Sequence, residues 1–283
     1  MKACVQHSNV RASLEPSRAF QFFIGALAAV GLVFKSMARA ADPSEQVDPH
    51  ALVAEMREQR PASSSEMLAV LTVRAKGADK RQVSVRITTQ LQTEFWKTRY
   101  EILGALNKGK PPAKEIMEVT FFGSKPPQYE WRPGEFEAGI AQSNTSFGSG
   151  SRDSLRPFGG SDFQLADLGL EFLYWPGQKI VGRQVRRTRD CVMLESVPEN
   201  VVDGGYARVL SWVDIKTHQL VRAEGFDGSG RRVKMFKPDE FVYYKGQWRV
   251  KQLAIESSVT GSESYLIFNF RDKPEGDRLG GKP

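Results

Sequence analysis

QVSVRITTQLQTEFWKTRY, residues 82–100, decides the fold class. Val83, Val85, Ile87 and Leu91 keep to odd positions, and polar residues fill the even positions between them. A period of two is that of a strand with one buried and one wet face; a helix would repeat every three to four residues. MLAVLTVRAK (67–76) has the same period, and Gly77-Ala78-Asp79-Lys80 between the two stretches predicts a hairpin.

The pattern continues outward through EIMEVTFFG (115–123) and PQYEWRPG (127–134). In the second half it runs through QKIVGRQVRRT (178–188), CVMLESVP (191–198), ARVLSWVDI (207–215), HQLVRAEGF (218–226), RRVKMFKP (231–238), QWRVKQLAIES (247–257) and ESYLIFNFR (263–271). Turn residues such as Gly204-Gly205 and Asp227-Gly228-Ser229-Gly230 separate these runs. This reading gives eleven strands with hairpin-length gaps. The chain is therefore mainly β with a few helices, an antiparallel meander that must curl to bury its apolar face. An incomplete β-barrel is favoured over a parallel α/β fold, which needs a helix at every crossover.

Two segments break the period. Asp48-Pro49 followed by HALVAEMREQR (50–60) predicts a helix that Asp48 caps, with Leu52, Val53 and Met56 on one face and a stop at Pro61. Residues 138–161, rich in Gly and Ser, predict a mobile loop. They lead into a short helix near 162–173, capped by Ser161 or Asp162, whose Phe163, Leu165, Leu168 and Phe172 nearly surround it. A helix apolar on most sides needs cover, and this one reads as a plug or lid over the concave face.

Composition narrows the function. Of 283 residues, 40% are apolar and 26% charged, as in an ordinary globular protein, and the formal net charge is +7. Five of the 40 Lys and Arg and one of the 33 acids lie in the first 40 residues, which leaves +3 on the remainder, too little to imply nucleic acid. Residues 19–34 are an uncharged apolar run preceded by Arg11 and Arg18 and followed by the small residues Ala38, Ala40 and Ala41. This predicts a cleavable signal peptide over residues 1–40 and a periplasmic mature chain, the run being short for a bilayer span. One domain is expected over 41–270, with a flexible tail over 271–283.

Chemistry is sparse. Cys191 stands alone in the mature chain among Val192, Met193 and Leu194 and reads as a buried apolar residue. His50 and His218 have no ligand-spaced companions and read as solvent-facing, so neither a metal nor a cofactor is expected. No GxSxG, Walker or GxGxxG motif occurs, no catalytic residue is assigned, and the chain is not read as an enzyme. The cluster Arg183, Arg186, Arg187 and Arg189 reads as a solvated strand edge, or else as a surface for acidic partners or anionic headgroups. Aromatic residues are the informative excess. Phe95, Phe121, Trp131 and Trp212 are candidate walls of an apolar space that Phe163, Leu165, Leu168 and Phe172 would cover.

GSDFQLADL (160–168), YWPG (174–177), WVD (212–214) and LVRAE (220–224), set between a capped opening helix and a long meander, resemble the outer-membrane lipoprotein-sorting proteins. This is the LolA/LolB-like superfamily, here a poorly characterised branch, and the resemblance covers residues 48–270. It implies a half-barrel covered by a helical lid, and a monomeric carrier of lipid acyl chains or lipoprotein cargo moving towards the outer membrane. It further implies membrane-associated protein partners and an arginine inside the barrel that holds the lid by hydrogen bonds to its backbone. The alternative role it implies is an envelope sensor or scaffold that binds a protein.

Overall fold

The computed structural model describes residues 47–106, 114–133, 145–148, 151–244 and 247–270. The predicted signal and tail lie outside them. Helix α1 (Pro49–Glu58) forms as its sequence dictates: the Asp48 carboxylate accepts from His50 N–H at 3.0 Å, and Leu52, Val53 and Met56 are buried.

The strands are β1 (Ser65–Arg74), β2 (Arg81–Leu91), β3 (Trp96–Ala105), β4 (Glu115–Phe122), β5 (Lys125–Pro133) and β6 (Thr145–Gly148) in the first half. The second half contributes β7 (Gly177–Arg186), β8 (Arg189–Val197), β9 (Arg208–Asp214), β10 (Leu220–Phe226), β11 (Arg232–Tyr244), β12 (Gln247–Ser257) and β13 (Glu263–Phe268). They make one sheet of thirteen strands in the order β6-β5-β4-β3-β2-β1-β13-β12-β11-β10-β9-β8-β7. Two meanders are thus joined where β1 pairs antiparallel with β13.

Thirteen strands replace the expected eleven for two reasons. Residues 82–100 form a hairpin, closed where Gln92 N–H bonds Phe95 O at 2.9 Å. Its buried residues switch from odd positions on β2 (Val83, Val85, Ile87) to even ones on β3 (Trp96, Tyr100, Ile102). The second reason is β6, which lies within the stretch expected to be a mobile loop; of that stretch, residues 151–161 are also ordered, into two 3-10 turns.

The topology explains the apolar segment between the halves. Strands β6 and β7 are opposite edges of the sheet, so the chain between them must travel from one edge to the other. Twelve spacings of about 4.8 Å would hold those edges about 58 Å apart in a flat sheet. Yet within residues 159–175 this segment touches Glu115 of β4, Arg81 of β2, Ser264 of β13, Lys234 of β11 and Gln178 of β7. Only a sheet curled around the segment brings all five strands within reach. The result is an unclosed barrel whose concave face carries the main core.

Candidate functional site

The covering segment is less helical than its sequence suggests. Helix α2 is one turn, Leu165–Leu168, flanked by 3-10 turns at Phe158–Gly160 and Glu171–Tyr174. Gly159, Gly160 and Leu170 have φ of 56°, 62° and 47°, and each such residue ends a right-handed run. Neither Ser161 nor Asp162 caps α2. The Asp167 carboxylate accepts from Gln164 N–H at 2.9 Å, and Ser161 Oγ–H instead donates to Phe158 O at 2.6 Å.

Phe158, Phe163, Leu165, Leu168, Phe172 and Leu173 are all buried and pack into the main core. Phe158 meets Tyr100 and Phe163 meets Phe236, edge to face, with centroids 5.7 and 6.2 Å apart. The expected open space beneath a lid is therefore taken up by the segment's own side chains. Two surface recesses, of about 370 and 360 Å³, are lined by neither Phe163, Leu165, Leu168 nor Phe172.

Polar groups from the wall hold the segment at three places. At its start, Arg81 Nη2 donates at 2.7 Å to both Gly159 O and Gly160 O, and Glu115 Oε1 accepts from Gly159 N–H. Glu115 is itself held by Trp131 Nε1–H at 3.1 Å, and Arg156 lies 4.3 Å over the Trp131 ring. In the middle, the Asp162 carboxylate accepts from Ser262 Oγ at 2.6 Å and Ser264 Oγ at 2.7 Å. Lys234 Nζ donates to Asp162 O at 2.7 Å and to Asp167 Oδ2 at 3.3 Å, and Tyr206 donates to Asp167 Oδ1 at 2.7 Å. Burial first, and then the Asp167 carboxylate, push the Tyr206 phenol well above its ordinary range, so it stays a donor at neutral pH.

At the far end, Gln178 Nε2 donates to Phe172 O at 3.0 Å and Trp175 O at 2.8 Å. Arg57 of α1 donates through Nε to Leu173 O at 2.7 Å, with its guanidinium 4.8 Å over Tyr174. Burial lowers the Arg57 pKa, and burial raises that of Tyr174 to about 12. Two arginines, Arg81 of β2 and Arg57 of α1, thus donate to backbone carbonyls at opposite ends of the segment.

Of the predicted residues, Phe163, Leu165, Leu168, Phe172, Phe121 and Trp131 come together in the main core, Phe121 stacked on Trp96 at 5.0 Å. Phe95 and Trp212 do not join them. Phe95 is partly exposed in the β2–β3 turn against Phe122. Trp212 packs with Cys191 and Val221 in a separate cluster on the other face, where Gln184 Oε1 accepts from its Nε1–H at 2.8 Å. Cys191 is fully buried, as its apolar neighbours imply. His218 is half-buried rather than solvent-facing: its Nδ1 lies 2.6 Å from Glu55 Oε2, which ties the β9–β10 turn to α1. The arginine cluster divides, with Arg186 5.2 Å over Trp212, Arg189 paired with Asp214 and Arg187 reaching Asp239.

Sequence reasoning missed Arg57, Arg81, Glu115, Gln178 and Lys234. Arg81, Gln178 and Lys234 carried a usable signal: each occupies the inward register of its strand, in series with Val83, Ile180 and Phe236.

A family model described as an uncharacterized protein matches residues 148–273. No curated protein is matched by the sequence. Among solved structures, a DUF1329 family protein from Desulfovibrio piger is 16% identical, with a TM-score of 0.59 over 81% of this chain and 95% of that one. A LolA superfamily protein from Nitrosomonas europaea is 16% identical, with a TM-score of 0.55 over 81% and 96%. An outer membrane lipoprotein-sorting protein domain from Vibrio parahaemolyticus is 15% identical, with a TM-score of 0.56 over 80% and 93%. Likeness at this identity is likeness of fold, and the fold is the LolA-like one.

Proposed function

We propose that the chain is a periplasmic carrier of lipid acyl chains or lipoproteins, and that its cargo binds the concave face of the sheet once the segment 158–175 moves aside. The observation that carries this reading is how that segment is attached. It joins the two sheet edges, fills the concavity with rings and Leu side chains, and is held by side-chain donors on its carbonyls. Such contacts release one at a time without unpairing a strand.

The energetics fit an exchange. Exposing Phe158, Phe163, Leu165, Leu168, Phe172 and Leu173 to water would cost about 1.5–3 kcal/mol each, about 9–18 kcal/mol together. An acyl chain of about fifteen methylenes contributes about 12 kcal/mol at about 0.8 kcal/mol per methylene. One or two chains therefore offset the displacement, and an empty carrier stays closed. The sorting fold of the structural neighbours supports the same reading.

Native mass spectrometry of protein isolated mildly from cell envelopes tests it. Bound lipid is expected. Protein that is consistently empty and takes up no fluorescent fatty acid would contradict it.

A further inference from the structure

A second surface lies at the end of the β11–β12 hairpin, away from the covering segment. Tyr243 and Trp248 are register partners there, their rings edge to face with centroids 5.6 Å apart, and they are 61% and 40% exposed. Beside them is the recess of about 360 Å³, walled by Leu220, Val221, Pro238, Phe241 and Trp248. Arg187 and Arg189 stand on its rim, each paired with a carboxylate, Asp239 and Asp214 respectively.

The fold sets those arginines deliberately. Arg187 and Thr188 form the β7–β8 turn with φ of 48° and 62°, a costly conformation for a β-branched residue. From that turn Arg187 crosses to β11, donating to Pro238 O at 3.0 Å and Asp239 Oδ1 at 2.9 Å. Arg189 donates to Asp214 Oδ2 at 3.3 Å. Towards this turn β7 also carries Arg183 and Arg186, and Asp190 follows on β8.

We propose that this end of the sheet docks on an anionic lipid bilayer, with Tyr243 and Trp248 in the headgroup layer and the arginine turn against lipid phosphates. Exposed Trp and Tyr, each with an apolar body and a polar tip, are the residues that settle at a membrane–water boundary. Clustered arginine on an adjacent turn complements a negative leaflet. A stable protein partner would need roughly 800 Å² on each side, more than the exposed faces of two rings provide. The ring pair continues the inward register of Phe241 and Val250 past the covered core, so vesicle flotation and fatty-acid uptake are measured separately.

Flotation with vesicles tests it, comparing phosphatidylethanolamine–phosphatidylglycerol with pure phosphatidylcholine. The purified full chain is expected to float with the anionic vesicles only, with a blue shift in Trp emission, and to be released by high salt. Tyr243→Ser and Trp248→Ser should each lower the bound fraction several-fold without changing fatty-acid uptake. Val259→Ser, an exposed apolar position beyond the other end of β12, should leave it unchanged. Circular dichroism identifies any variant that fails to fold, and Tyr243→Ser, at the more exposed ring, then decides the matter. Failure to float with either vesicle, or flotation equal in all three variants, overturns the proposal. So does binding of monomeric laurate through Trp248 without vesicle binding, since the recess would then be a small-ligand site.

Discussion

One guanidinium nitrogen of Arg81, Nη2, lies 2.7 Å from the carbonyl oxygens of both Gly159 and Gly160, 78 and 79 residues away. Both glycines have positive φ, which turns their successive carbonyls towards the same donor. Arg81→Leu removes this pair of bonds, and hydrogen bonds to a charged group contribute about 1.5–3 kcal/mol. Amide exchange over residues 158–163 should accelerate while that of β12 stays slow. Uniform exchange in both would mean that Arg81 does not hold the segment.

A side chain at Gly159 would crowd two buried residues. A Cβ there would lie 2.7 Å from Leu71 Cδ2 and 3.2 Å from Ile102 Cδ1, in a left-handed backbone conformation. Gly159→Ala is expected to cost about 1–3 kcal/mol by denaturant titration. Gly228→Ala, with no atom within 4 Å of the added carbon, should fall within about 0.5 kcal/mol of the parent. Equal effects at the two positions would refute the tight fit at Gly159.

Lys234 and Asp167 form a pair with side-chain exposures of 15% and 7%. Removing one partner of a buried pair costs about 3–5 kcal/mol because the other charge is left uncompensated. Lys234→Met should therefore be strongly destabilising, and Lys234→Met with Asp167→Asn should recover part of the loss. A double variant no better than the single one would show that the charge pairing is not what matters.

Acid should weaken the outward face of β3 and β4, where Glu118 lies. Burial tends to raise the Glu118 pKa, but Arg99 and Lys97, bonded to its two oxygens at 2.8 and 3.1 Å, together outweigh burial and hold it below its ordinary value. A carboxylate with a depressed folded pKa stabilises above the unfolded value, about 4.3, and loses that contribution as pH falls through the folded one. Melting temperatures should drop below about pH 4, and Glu118→Gln should be less stable at pH 7 with a flatter acid limb. An unchanged acid limb in that variant would assign the effect to other groups.

The meander was legible because burial on one face imposes a period of two, and the capped helix because Asp48, Pro49 and the apolar face of α1 agree. Three things were hidden. The β2–β3 turn was masked because Leu91 and Phe95 continue an apolar run through it, although the shift of buried parity to Trp96 marks it. The outward position of Trp212 is not legible because β9 carries apolar residues on both faces, Val209 and Val213 inward and Leu210 and Trp212 outward. The contacts that hold the segment escaped because periodicity identifies which residues face inward, whereas sheet curvature decides which of them meet. Arg81, Gln178 and Lys234 were visible only as polar interruptions of apolar series.

In the proposed carrier, acyl chains replace the segment on the concave face. Photo-crosslinking with a diazirine-bearing palmitate, followed by peptide mapping, tests it most directly. Adducts are expected on inward residues such as Ile102, Val119 and Leu253, and more of them in Arg81→Leu. Adducts no more frequent than in a control without light, or confined to the Tyr243 and Trp248 end, would contradict it.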